Sequence, residues 1–123
     1  MKQIAKMKKI LIVDDQSFNI DALKIILKYK IGLETEIFCD SASDGFDAIK
    51  KIINDVEEKH DGLASSYQLI LMDCNMPHLD GYEASSRIRQ YFYQNRLKQP
   101  IISAVTGHTE QVFVQKAVSS GIN

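Results

Sequence analysis

Short and almost unbroken apolar runs constrain the fold of this chain more than any other sequence feature. They occupy residues 10–13, 69–72 and 101–105. Runs of this length without alternation suit strands that are buried on both faces, as in a parallel sheet covered by helices. A further segment, roughly Leu33 to Cys39, alternates between two sets of side chains, which is typical of an edge strand. The sequence therefore predicts four strands.

Between these strands, apolar residues recur at helical spacing. The clearest helical faces are at residues 20–27, 49–56 and 88–92. The predicted order is β-α-β-α-β-α-β-α in one domain. Strands that alternate with helices predict an α/β fold, with a doubly wound parallel sheet, right-handed crossovers and helices on both faces. At 123 residues the chain is long enough to bury such a core without metals or disulfides.

Charge and hydropathy exclude several classes of protein. Fifteen basic and sixteen acidic residues give a formal charge of −1, so nothing favours binding to nucleic acid through a basic surface. No apolar run approaches the ~20 residues that cross a bilayer, so no membrane segment is predicted. The first nine residues contain four lysines but no apolar stretch, unlike a secretory signal. Without an export signal, Cys39 and Cys74 indicate a reducing compartment, and we expect the cytoplasm.

Acidic or hydroxyl side chains directly follow three of the predicted strands. Asp14 and Asp15 follow the first, Asp73 follows the third and Thr106 follows the fourth. Because parallel strands bring their carboxyl ends to one edge of a sheet, we expect these groups to lie together. Three neighbouring carboxylates repel one another unless a cation balances them. Mg²⁺, which prefers carboxylate, water and phosphate oxygens, is the cofactor that this cluster predicts.

The same cluster predicts chemistry at phosphorus. A carboxylate can attack phosphorus and form an aspartyl phosphate, provided that a metal neutralises charge on the transferring group. The hydroxyl of Thr106 would then bond a phosphate oxygen. Asp14 and Asp15 alone could equally be helix caps that interact with the helix dipole. The position of Asp73 and Thr106 at neighbouring strand ends favours the metal site.

Four motifs give the chain a family resemblance: Val13-Asp14-Asp15, Met72–Pro77, Asp80–Glu83 and Ala104–Thr106. In this order they resemble the receiver domains of response regulators and hybrid histidine kinases. The Met-Asp-Cys-x-Met-Pro segment and Asn19 are similar to hybrid-kinase receivers in particular. The resemblance covers nearly the whole chain. It implies a flavodoxin-like receiver fold with strand order 2-1-3-4-5.

The resemblance also implies roles for the motif residues. Asp73 would be the phosphoacceptor, and Thr106 would be the switch hydroxyl. Asp15 and Asp73 would ligate Mg²⁺ through carboxylates, Asn75 through its backbone carbonyl, and Asp14 would hold a water on the metal. The implied function is phosphorelay signalling, in which a histidine kinase or histidine phosphotransfer domain supplies the phosphoryl group. Phosphorylation would then shift the balance between two surface conformations.

The chain departs from the receiver pattern near Asn123. Receivers have a fifth strand that carries a lysine for the phosphate, then a fifth helix, and neither is visible in the sequence. Lys116 falls within the last predicted helix, so we do not expect it to replace that lysine. Residues 1–123 are therefore predicted to form one receiver domain that is C-terminally incomplete. The run Ile101–Val105 would then be an exposed edge, and we expect the chain either to self-associate through it or to be weakly folded.

Two other functions remain open. A pseudo-receiver would use this fold as an interaction module without phosphorylation, which the missing lysine favours and the full set of motif acids disfavours. A phosphohydrolase of the haloacid dehalogenase type also uses an aspartate after a strand, but it requires an acid where this chain has Asn75. No glycine-rich phosphate loop supports nucleotide binding. A receiver catalyses its own phosphorylation and dephosphorylation, but it turns over no free substrate.

Two smaller expectations concern cysteine and aromatic residues. Cys74 is expected to pack as a small apolar group and not to act in redox chemistry. Tyr91, Phe92 and Tyr93 are consecutive, and three adjacent side chains on a helix cannot all face inward. At least one of these aromatic rings should therefore be exposed.

Overall fold

Four parallel strands form the centre of the molecule, in the order β2-β1-β3-β4. The structure is a computed structural model that describes residues 8–59, 64–105 and 111–123. The strands are β1 Ile10–Val13, β2 Cys39–Ala42, β3 Leu69–Asp73 and β4 Ile101–Val105. The predicted parallel α/β sheet is confirmed, and its strand order is the one that the receiver resemblance implied for the first four strands.

Helices occupy the connections between the strands. They are α1 Ser17–Ile26, which continues as a π-helical segment Leu27–Ile31, then α2 Thr35–Phe38, α3 Gly45–Lys59, α4 Gly81–Gln94 and α5 Gln111–Ser119. Gly32 ends the π-helical segment with a φ of 76°, in the left-handed region where glycine is favoured. Within the described ranges, no helix has both the length and the apolar character needed to cross a bilayer.

The hydrophobic core lies between one face of the sheet and helices α3 and α4. Alternate strand residues point to this face, and the core residues include Leu11, Ile70 and Ile102 from the strands. From the helices, Ile52 and Phe92 are almost completely buried. Ile12 points to the opposite face of β1 and is also fully buried, so this strand is covered on both sides. The strand has no solvent-facing side, which explains its unbroken apolar sequence.

The second strand begins later than the alternation predicted. Residues Thr35–Phe38 form one helical turn, and the strand occupies Cys39–Ala42 instead of Leu33–Cys39. Thr35 and Cys39 are both buried, as an alternating strand requires, but residues four apart also share one face of a helix. Over so short a segment, an alternation of side chains with a period of two residues could not distinguish a strand from a helical turn. The prediction that this strand lies at the sheet edge is confirmed.

The other edge of the sheet is β4, and part of it is paired with Asn123. The amide of Asn123 donates to the carbonyl of Ile102 at 2.9 Å, and the amide of Ile102 donates to Oδ1 of Asn123 at 2.8 Å. Arg89 of α4 supports this segment, because its guanidinium donates to the carbonyl of Gly121 and to Oδ1 of Asn123, both at 2.7 Å. Self-association through β4 remains a prediction.

Candidate functional site

Three carboxylates meet at the carboxyl edge of the sheet, as the sequence predicted. Asp14 and Asp15 follow β1, and Asp73 is the last residue of β3. These strands pair in parallel with Val13 opposite Met72, so the residues that follow emerge side by side. Carboxylate oxygens from the three aspartates lie within 4.8 Å of one another. We call the depression around them the acidic cleft.

Asp14 is the most firmly held member of this group. Its side chain is buried, and Oδ1 accepts hydrogen bonds from the backbone amide of Gln16 at 2.9 Å and from Nδ2 of Asn19 at 3.4 Å. Both donors belong to the start of α1 or the residue before it. The position of Asn19 after the acidic pair, which contributed to the family resemblance, therefore has a structural reason. It helps to fix the orientation of the Asp14 carboxylate.

Asp73 is partly buried, and its ionised form is unfavourable in the cleft. Burial is the largest cause that raises the pKa of Asp73 above its ordinary value. The backbone amide of Asn75 donates to Oδ1 of Asp73 at 3.0 Å and opposes this rise in pKa. The negative charges of Asp14 and Asp15 add to it. A cation in the cleft would remove this penalty.

No positive charge is present among the described residues that line the acidic cleft, which are Asp14, Asp15, Gln16, Asn19, Ala22, Leu23, Ile26, Asp73, Asn75 and Val105. Lys116, the basic residue considered above, instead lies over the ring of Tyr82, with Nζ 4.7 Å from the ring centroid. This placement agrees with the prediction that Lys116 does not replace the receiver lysine. Among the described lining residues, no side chain therefore balances the charge of the three carboxylates.

The remaining predicted site residues differ in how far the structure describes them. Asn75 lines the cleft, and its backbone amide is bonded to Asp73. Thr106 lies outside the described residues, so its role as the switch hydroxyl remains a prediction. Its neighbour Val105 is paired with Asp73 across β3 and β4 and also lines the cleft. Strand β4 thus ends at Val105, beside the acidic cleft.

Sequence reasoning missed an apolar wall of the cleft. Ala22, Leu23 and Ile26 of α1 line it on one side. Ile26 is also half exposed, and the same helix carries the exposed side chains of Phe18, which is 79% exposed, and Ile25, which is 57% exposed. We call Phe18, Ile25 and Ile26 the α1 patch. The spacing of Phe18, Ala22 and Ile25 at i, i+4 and i+7 is the signal that could have revealed this second apolar face.

The structure agrees with the expected packing of Cys74 and with the expected exposure of an aromatic ring. Cys74 is buried, and burial raises the pKa of its thiol, which disfavours the reactive thiolate. Cys39 is also a buried free cysteine. Of the three consecutive aromatic residues, Phe92 is fully buried whereas Tyr93 is 81% exposed. The prediction that at least one ring is exposed is confirmed.

Comparison with known families and curated proteins gives one consistent result. Residues 10–123 match the family described as the response regulator receiver domain. Hybrid signal transduction histidine kinase B of Dictyostelium discoideum is 30% identical over 96% of this chain. The match spans only 6% of the length of that kinase. The similarity is therefore to one module of a much longer protein.

Comparison with solved structures agrees. The receiver domain of the histidine kinase CKI1 from Arabidopsis thaliana, crystallised with Mg²⁺, superposes with a TM-score of 0.79 and 27% identity, over 94% of this chain and 79% of that one. The receiver domain of Ssk1, in a co-crystal with the phosphotransfer protein Ypd1 from Saccharomyces cerevisiae, superposes with a TM-score of 0.70 and 29% identity. This match covers 94% of this chain and 74% of that one. These similarities confirm the predicted flavodoxin-like fold.

Proposed function

The chain belongs to the response regulator receiver domain family, and from this premise we propose that Asp73 accepts a phosphoryl group from a phosphohistidine donor. Receiver domains are the phosphoryl-accepting modules of two-component phosphorelays. The observation that most directly supports Asp73 concerns its position at the end of β3. Its carboxylate there lies within 4.8 Å of the carboxylates of Asp14 and Asp15. The proposal covers residues 1–123 as one receiver domain.

We propose Mg²⁺ as the cofactor of the acidic cleft. Asp15 and Asp73 would hold it through carboxylate oxygens, Asn75 through its backbone carbonyl, and Asp14 through a water molecule. The fit is supported by three converging carboxylates, by the raised pKa of Asp73 and by the lack of a cationic side chain in the described lining. The cation, when bound, would neutralise charge on the transferring phosphoryl group.

The residues of the chain then have distinct roles in the transfer. A carboxylate oxygen of Asp73 forms a bond to phosphorus while the bond between phosphorus and the donor imidazole nitrogen breaks, and the electron pair of that bond returns to the imidazole. The amide of Asn75 keeps Oδ1 of Asp73 in place during this step. Thr106 would bond an oxygen of the new aspartyl phosphate and shift the surface between its two conformations.

We propose that the α1 patch is part of the surface that receives the donor. A phosphohistidine can reach Asp73 only if the donor protein covers the rim of the acidic cleft, and Ile26 belongs to both the rim and the patch. Large apolar side chains that are left exposed in this way are common at protein interfaces. The donor would be a histidine kinase or a histidine phosphotransfer protein, and a protein of the second kind is seen with the Ssk1 receiver.

The location that we propose is the cytoplasm. Cys39 and Cys74 are free thiols in the structure, as in a reducing compartment.

The experiment that tests this function is intact-mass measurement after incubation with a small-molecule phosphodonor, with and without Mg²⁺. We expect one phosphoryl adduct that requires Mg²⁺. The matched control is Asp73→Asn, which keeps the size of the side chain and removes the nucleophile, and it should give no adduct. If wild-type protein forms no adduct under either condition, the proposal fails and the pseudo-receiver function is favoured.

A further inference from the structure

Gly81, the first residue of α4, packs against the backbone of the proposed phosphoacceptor. A Cβ atom built at position 81 would lie 2.1 Å from the carbonyl oxygen of Asp73 and 2.7 Å from Cα of Cys74. Real Cβ atoms essentially never approach other heavy atoms this closely. A side chain at this position would require the end of β3 to move, because a backbone atom cannot turn aside by changing rotamer.

Backbone conformation does not explain why this residue is glycine. Gly81 is not among the residues with positive φ, whereas Gly32 and Gly121 are. Alanine is the better helix former at a position with helical dihedral angles. The close approach of two backbones is therefore the physical reason for glycine here.

Several bonds fix the start of α4 in this position. The amide nitrogen of Gly81 donates a hydrogen bond of 3.4 Å to the carbonyl oxygen of Cys74, which closes the loop between the two residues. The buried hydroxyl of Ser85 donates to the carbonyl of Gly81 at 2.7 Å. Asp80 caps the helix, because its Oδ1 accepts from the amide of Glu83 at 2.8 Å. The first of these bonds joins the helix start to the residue after β3, and the other two hold the first turn of α4 together.

We infer that Gly81 is a positioning residue for Asp73, an inference that rests on the proposed function. The backbone of Asp73 determines where its carboxylate stands relative to Asp14 and Asp15. The same backbone leads directly to Asn75, the proposed carbonyl ligand. By allowing α4 to contact the end of β3, Gly81 holds both groups in the arrangement that binds Mg²⁺ and accepts the phosphoryl group, although it contributes no ligand atom itself.

The test compares Gly81→Ala with Gly45→Ala in the full chain. Gly45 is a matched control, since a Cβ there would also be too close to its neighbours, at 2.8 Å from Cδ2 of Leu79 and 2.9 Å from Cβ of Ala84. These neighbours are side-chain atoms and not the backbone of Asp73. Amide chemical shifts of Asp73 and its neighbours are recorded without Mg²⁺, followed by a titration with Mg²⁺.

We expect Gly81→Ala to shift the amide signals around Asp73 and to weaken Mg²⁺ binding by about tenfold or more. Gly45→Ala should weaken Mg²⁺ binding clearly less than Gly81→Ala, since its Cβ would meet the side chains of Leu79 and Ala84 and not the backbone of Asp73. Equal effects of the two variants on the Asp73 amides and on Mg²⁺ affinity would overturn the inference.

Two further outcomes remain decisive. If wild-type protein binds no Mg²⁺, the proposed metal site fails, and the comparison of amide shifts alone decides the role of Gly81. If Gly81→Ala does not fold, Ser85→Ala replaces it, because it removes the bond to the Gly81 carbonyl without adding an atom. We then expect a smaller change in the same signals and in Mg²⁺ affinity, and no change in either would overturn the inference.

Discussion

The backbone amide of Asn75 donates a hydrogen bond to Oδ1 of Asp73 at 3.0 Å. This bond favours the ionised carboxylate, but burial and the charges of Asp14 and Asp15 outweigh it, so the pKa of Asp73 is raised. Without a cation, the folded domain therefore holds Asp73 in an unfavourable charge state at neutral pH. Removing the charge of Asp73 by mutation, or balancing it with a bound cation, should stabilise the fold.

Asp73→Asn should accordingly raise the melting temperature of the metal-free domain by a few degrees at neutral pH. The substitution removes one of three mutually repelling charges and keeps the shape of the side chain. Thermal unfolding followed by circular dichroism in the presence of a chelator measures this. Asp21→Asn, an exposed residue of α1 outside the cleft, is the control for a general charge effect. An unchanged or lower melting temperature for Asp73→Asn would contradict the electrostatic account.

The stabilisation by Asp73→Asn should also depend on pH. The pKa of Asp73 is higher in the folded state than in the unfolded chain, where it is about 3.9. Protonated Asp73 therefore contributes favourably to the free energy of unfolding. This contribution is fully present below the pKa of Asp73 in the unfolded chain and is lost as pH rises through its pKa in the folded state. The difference in melting temperature between Asp73→Asn and wild type should therefore shrink as pH falls towards about 4. A difference that is constant with pH would argue against the raised pKa.

Asp15→Asn should weaken Mg²⁺ binding by about tenfold or more, because it replaces a proposed carboxylate ligand. Asp14→Asn should weaken it as well, since the Asp14 carboxylate is held in the cleft by Gln16 and Asn19. Isothermal titration calorimetry of both variants tests this, with Asp21→Asn as the charge-matched control. Equal Mg²⁺ affinity in all three variants would exclude the acidic cleft as the metal site.

Phe18→Ala and Ile25→Ala should slow phosphoryl transfer from a histidine phosphotransfer protein but not from a small-molecule phosphodonor. Both substitutions remove exposed area from the α1 patch and leave the acidic cleft intact. Rapid-quench kinetics with the two kinds of donor separates docking from chemistry. Tyr93→Ala is the control, because Tyr93 is as exposed as Phe18 but belongs to α4. Equal slowing with both donors would place the α1 patch in the chemistry and not in docking.

The 123-residue chain should self-associate at high concentration through β4. Ile102 directs its amide and carbonyl towards Asn123, and Ala104, two residues later, directs its backbone to the same outer side. Ala104→Pro removes an outward amide that does not pair with β3, and it should shift the chain towards the monomer. Sedimentation velocity over a range of concentrations measures this. Wild-type protein that stays monomeric at every concentration would contradict the prediction.

Sequence patterns located the strands well where burial was continuous and less well where it was not. β1 and β4 have the predicted bounds, since each is an apolar run that ends at a polar group. β2 contains Asp40 and Ser41, so its own sequence carries little hydrophobic signal. The alternation just before it belonged to the helical turn Thr35–Phe38.

The acidic cleft was predictable because position at a strand end is itself encoded in the sequence. Once the strands are parallel, Asp14, Asp15 and Asp73 must share an edge. The close contact between Gly81 and Asp73 was not predictable, since it depends on how α4 packs against the end of β3. A glycine after Asp80 indicates only a helix start until the distance between the two backbones is known.

Asp73 is the proposed site of phosphorylation, and locating the phosphoryl group on the chain tests this without an indirect readout. Borohydride reduces an aspartyl phosphate to homoserine, so the phosphorylated chain can be reduced, digested and mapped by mass spectrometry. We expect homoserine at position 73, formed only when Mg²⁺ was present during phosphorylation. Homoserine at Asp14, at Asp15 or at another acidic residue would contradict it.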